Sequence, residues 1–83
     1  MRVQISAHAK LRAKERGAST AEIEETLTTG TRLPARIGRM CVRREFRIDE
    51  MRAGRHYSQK TIEVYYVVEQ DVMVVVTVYV FYG

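Results

Sequence analysis

The sequence predicts an α+β domain in which two short N-terminal helices pack on a curved antiparallel sheet of three to five strands. Three observations carry this reading. Capping residues and four-residue apolar spacing occupy residues 6–30. After Pro34 the apolar period falls to two, the period of a strand. No repeat, low-complexity tract or linker interrupts the 83 residues, so a single domain over residues 1–83 is expected. A domain this small buries only about 60–65% of its unfolded surface, so its stability is modest.

The elements follow in order. Ser6 offers an N-cap oxygen after the short apolar stretch Val3–Ile5. Residues 7–16 are strong helix formers, and Gly17 sits where a helix C-cap belongs. "STAE", residues 19–22, has capping-box spacing, with Ser19 as N-cap and Glu22 three residues on. A second helix then runs to about Thr29, with Ile23 and Leu27 one turn apart on its buried side and Gly30 as its stop. The first helix has only Leu11 and several alanines to bury, which suits a tight helical hairpin.

"MCVRREFRI", residues 40–48, reads as a strand with room for a bulge, and "MRAGRHYS", residues 51–58, as a loop. "TIEVYYVVE", residues 61–69, alternates cleanly, with Ile62, Val64, Tyr66 and Val68 on one face. "EQD" makes a tight hairpin into residues 72–82, a strand apolar on both faces. Regular alternation there sets Val72, Val74, Val76, Val78 and Val80 against Met73, Val75, Thr77, Tyr79 and Phe81. Two ten-residue helices cover only one of these sets. The other needs a second roof, and a homodimer or a partner protein is expected to provide it.

Composition excludes several classes. No run of about 18 uncharged apolar residues and no apolar leader is present, so a soluble cytoplasmic protein off the membrane is expected. The single cysteine, Cys41, makes neither an intramolecular disulfide nor a CxxC zinc site, and it reads as a small strand residue. Metal-ligand spacing, a Gly-rich phosphate loop and paired catalytic carboxylates are all missing, so neither metal nor cofactor is expected. The net charge of +4 is uneven, with basic segments at residues 1–17 and 32–55 flanking an acidic helix. Eleven of the fourteen basic residues are arginine, the residue suited to bidentate phosphate contacts and to stacking on bases. A polyanion partner, RNA first, is the expectation, with Arg36, Arg39, Arg43, Arg44, Arg47, Arg55 and Lys60 as candidate contacts. A GC-rich genome would leave the same arginine-rich composition.

His8, Arg12 and Arg16 recur every fourth residue and form one slightly slanting helix stripe, with Glu15 beside it. A histidine moves protons near neutral pH, and an arginine holds phosphate and steadies transition-state charge. Those are the groups needed when RNA is cut by its own 2′-OH. The same spacing also describes an ordinary solvated face. Thr77 interrupts a valine-rich strand, either to bond His8 or Arg12 or as β-branched filler. His56, beside Arg55 and Tyr57, reads as a solvated loop residue with a catalytic alternative.

The string His8-x-x-x-Arg12-x-x-Glu15-Arg16-Gly17, then "STAEIEETL", then the terminal "VVVTVYVFYG" resembles the bacterial domain of unknown function family 4258. That family looks like a relative of the RelE-type toxins and of the wider barnase–colicin–RelE ribonuclease fold. The resemblance implies a RelE-like arrangement of helices on sheet and a metal-independent, toxin-type ribonuclease or RNA-binding protein with a cognate antitoxin. It also implies His8, Arg12, Glu15, Arg16 and Thr77 as the catalytic set. A non-catalytic RNA-binding or toxin–antitoxin partner module, or a structural homodimer, are the alternatives.

Overall fold

The computed structural model describes all 83 residues. Strand β1 (Arg2–Ile5) leads into helix α1 (Ala7–Arg16) and helix α2 (Thr20–Thr29). Strands β2 (Thr31–Leu33), β3 (Met40–Arg52), β4 (Arg55–Glu69) and β5 (Val72–Tyr82) follow. The five strands form one sheet in the order β1-β5-β4-β3-β2. The fold is therefore α+β, but the sheet is mixed rather than antiparallel, because β1 runs parallel to β5 from Arg2–Val72 to Ile5–Val75.

Local chemistry explains the helices. Ser6 Oγ accepts the Ala9 N–H at 3.1 Å. Gly17 ends α1 in the left-handed region at φ 90°, returning its N–H to the Ala13 carbonyl. The capping box of α2 is complete: Ser19 Oγ accepts from the Glu22 N–H, and Glu22 Oε1 accepts from the Ser19 N–H. Gly17 is needed for space as well as for its dihedral, because a Cβ there would strike the Tyr82 hydroxyl and come within 2.8 Å of Arg52 Nη1. Gly17→Ala is therefore expected to cost about 2–3 kcal/mol, the left-handed penalty plus displacement of two packed side chains, read as a lower denaturation midpoint.

Two strands are longer than their sequence suggests. Residues 51–58 are not a loop. They are the end of a long β3–β4 hairpin that turns on Ala53 (φ 50°) and Gly54 (φ 76°), the positive-φ pair of a two-residue hairpin turn. The β4–β5 turn uses Gln70 and Asp71 in the same way.

The helices cover one sheet face, α1 over β5 and α2 over β3 and β4. Ala9, Ala13 and Ile23 meet Val42, Ile62, Val64, Tyr66, Val75 and Val78 in one core. Val75 and Val78 are both fully buried, although three residues apart. A bulge permits this: Tyr65 pairs with Thr77 but Tyr66 with Val75, so Val76 is an extra residue. The bulge overturns the regular alternation expected for β5. Met73 and Val75 face the helices before it, and Val78 and Val80 after it.

Candidate nucleic-acid interface

Opposite the helices the sheet is open. Successive rows on this face are Cys41–Tyr65–Thr77, Arg43–Glu63–Tyr79 and Glu45–Thr61–Phe81, contributed by β3, β4 and β5. The β2–β3 connection brings Arg36 and Arg39 over one end. Together with Glu63, Tyr65, Thr77, Tyr79 and Phe81 they line a groove of about 520 Å³.

Glu63 is the single carboxylate of the groove lining. Its Oε1 accepts a long hydrogen bond from the Tyr65 hydroxyl at 3.3 Å, and its Oε2 lies 3.8 Å from Arg43 Nη1. Tyr65 also meets Tyr79 edge to face, with ring centroids 5.6 Å apart. Hydrogen bonding with the Cys41 thiol first, then burial and the nearby Glu63 charge, push the Tyr65 phenol up to about 12. It is thus a hydrogen-bond donor at any physiological pH. Burial likewise raises the thiol of Cys41, which stays a protonated strand residue. Tyr79 and Phe81 are 42% and 53% exposed, which leaves aromatic surface for a partner.

The helix stripe does not form a cluster. His8 is exposed. Arg12 pairs with Glu15 at 2.8 Å. Arg16 turns the other way, donating to the Val78 carbonyl at 2.6 Å and lying 4.7 Å from the Tyr79 ring centre. β1 accompanies β5 only as far as Val75, so Arg16 caps a strand edge that has no strand neighbour and reaches the rim of the groove. Of the residues that the family resemblance pointed to, Thr77 alone lines the groove; Arg16 touches it only through the Tyr79 ring, and His8, Arg12 and Glu15 are not among its lining residues. No hydrogen bond joins Thr77 to His8 or Arg12.

Strand alternation also divides the basic set. Arg36 and Arg39 line the groove, Arg43 flanks it, and Arg47 follows Arg43 on the same face, exposed. Arg44 points to the helices. Its Nη1 meets Glu25 Oε1 at 2.7 Å off the N–H direction, an ion pair rather than a directed hydrogen bond. Its guanidinium covers Phe46. Arg55 lies over Tyr57 at the hairpin tip. Lys60 is not a surface cation: it is 6% exposed, and it bonds the Gly17 carbonyl at 2.8 Å and both Glu22 oxygens at 3.0 Å. His56 is a strand residue, exposed and paired with Asp49.

Tyr79, one of five tyrosines whose rings could stack bases or fill a core, is on this face; Glu63 and Phe81 do not stand out as site residues in the sequence. Their only signal there is the two-residue period of β4 and β5, which sets them beside Arg43 on the uncovered face.

Residues 5–80 match the family described as domain of unknown function (DUF4258). The chain belongs to that family. Among curated proteins and solved structures, none matches it. No helix of this DUF4258 domain is long and apolar enough to cross a membrane. It has no group of three or more His, Cys, Asp or Glu side chains that could hold a metal ion.

Proposed function

We propose that this DUF4258 domain binds single-stranded RNA across the open sheet face. One observation carries the reading: a groove with arginines over one end, Arg36 and Arg39, and exposed aromatic rings on its floor, Tyr79 and Phe81. Arginine clamps phosphate, while exposed rings stack unpaired bases, which is the usual division of labour on sheet platforms for single strands. The positive charge also argues against a second copy as the cover. A two-fold contact centred here would bury Arg36, Arg39 and Arg43 of both chains in one interface, with Glu63 as the single carboxylate of each groove lining to offset them.

Cleavage is the narrower reading, favoured by Glu63. A carboxylate beside a bound phosphodiester takes the proton of a 2′-OH. That oxygen bonds to phosphorus as the bond to the 5′-oxygen breaks, leaving a 2′,3′-cyclic phosphate and a 5′-oxygen that takes a proton from water. The arginines steady the charge on the phosphoryl oxygens, with no metal required. This fits the metal-independent, RelE-type relationship expected from the sequence. It moves the proton acceptor from His8 to Glu63. We place cleavage second because the structure brings neither His8 nor Glu15 to the groove to act as the acid.

Fluorescence anisotropy with a labelled single-stranded oligoribonucleotide tests binding. Affinity is expected to fall steeply with salt. Arg36→Ala combined with Arg39→Ala is expected to weaken binding roughly 10- to 100-fold and to flatten the salt slope by about 1.4, or about 0.7 for each phosphate no longer neutralised. Absence of binding at ~50 mM salt, where charge-driven association is strong, overturns the proposal. Gel analysis of the same oligonucleotide tests cleavage, and Glu63→Gln is expected to abolish it while preserving binding.

A further inference from the structure

Ile37 is the most exposed large hydrophobic residue of the chain, at 104% of its reference surface. It stands between the two groove arginines, in Arg36-Ile37-Gly38-Arg39. The Arg39 N–H donates to the Arg36 carbonyl at 3.0 Å and closes these four residues into a turn. Gly38 sits at φ 83° on the far side of the tip, with open space around its Cα. The turn therefore presents a bare aliphatic side chain while both of its ends line the groove.

A lone exposed isoleucine is ordinary. One flanked by two phosphate-binding side chains is a different arrangement. Proteins that kink duplex DNA insert an apolar wedge such as isoleucine between base steps, with basic side chains reading the groove beside it. We infer that Ile37 is such a wedge: it enters the stack between two consecutive bases of a single-stranded RNA whose phosphates lie on Arg36 and Arg39. The inference rests on the RNA-binding reading above and adds a residue to it. Parting the stack frees one base to settle on Tyr79 or Phe81, the exposed rings of the floor.

Full exposure makes the test clean, because changes at Ile37 remove no packing. The chain contains no tryptophan, so Ile37→Trp places a single indole at the tip. Its emission is expected to fall when a single-stranded oligoribonucleotide binds, since stacking on a base quenches indole. Ile37→Ala is expected to weaken binding roughly five- to tenfold, the low end of the range for removing one base-stacking side chain, without changing the salt slope. RNA that binds by anisotropy but leaves both the indole emission and the Ile37→Ala affinity unchanged overturns the wedge and spares the groove. No anisotropy change with wild-type protein overturns the groove, and the wedge with it. A blue shift on anionic phosphatidylglycerol vesicles without a response to RNA assigns the tip to a lipid surface and also overturns the inference.

Discussion

Lys60→Met is expected to destabilise the domain by roughly 3–4 kcal/mol, the usual cost of removing one partner from a buried ion pair. For a chain of this size that lowers the melting temperature by about 12 °C or more. Methionine replaces the stem of the side chain, so packing is largely kept and the loss is electrostatic. It leaves the Glu22 carboxylate and the Gly17 carbonyl, now joined by one ammonium, without their donor. The effect depends on pH. Burial raises the pKa of Glu22, but the Ser19 N–H, Lys60 and the Ser19 hydroxyl together outweigh it and hold the group below its ordinary value of 4.5. A depressed carboxylate pKa stabilises the fold above the unfolded value and loses that contribution as pH falls through the folded one. Wild-type stability should therefore decline as pH drops below 4.5. The gap between wild type and Lys60→Met should narrow over the same range, because a protonated Glu22 no longer needs the ammonium. Circular-dichroism melts at about pH 7 and in steps below about pH 5 measure both. A variant within about 1 kcal/mol of wild type at neutral pH would show that the pair contributes little.

Lys60 also marks where sequence reading stops. Both helices and their caps are legible, because Ser6, Gly17, Ser19 and Glu22 act on backbone groups within four residues of themselves. The alternation of β4 from Ile62 to Tyr66 is legible for the same reason: it records one face buried and one open. Lys60 sits in phase with Ile62, yet a lysine next to an arginine-rich segment reads as surface charge. Its partners, Gly17 and Glu22, are 43 and 38 residues away and unite with it only through the tertiary fold. β1 and β2 are too short to carry a period, and β1 owes its strand character to the neighbouring β5. The candidate site divides in the same way. The arginine-rich segment is plain in the sequence. Which arginines share a face with Glu63 and Tyr79 depends on strand register. The α1 stripe has ideal spacing, but spacing on one helix does not say that Arg12 will turn to Glu15 and Arg16 to a β5 carbonyl.

The bulge in β5 is the feature least accessible to pattern, since nearly every residue around it is valine, and it yields the other large effect. In a regular strand Val75 and Val78 lie on opposite faces, so a glutamate at one of them would be tolerated. With Val76 as the extra residue both point into the core, and both are fully buried. Val75→Glu and Val78→Glu are therefore each expected to abolish folding. An unpaired carboxylate costs several kcal/mol to bury there, on top of roughly 1.5–3 kcal/mol of lost side-chain burial, against a total stability of about 5–10 kcal/mol. Tyr79→Glu, one residue past Val78, is expected to fold, because its side chain lies on the open face 42% exposed and the new carboxylate stands near the Arg16 guanidinium. That variant should be roughly 1–2 kcal/mol less stable than wild type, because it loses the Tyr65 ring contact and sets a carboxylate directly opposite Glu63, offset in part by Arg16. It should bind RNA at least roughly tenfold more weakly, having exchanged a stacking ring for a charge that repels phosphate. Amide NMR spectra separate the two classes directly. A dispersed spectrum for either valine variant would restore regular alternation to β5. An unfolded Tyr79→Glu would show that the open face is closed by packing of its own, and the aromatic groove would then be core rather than a site.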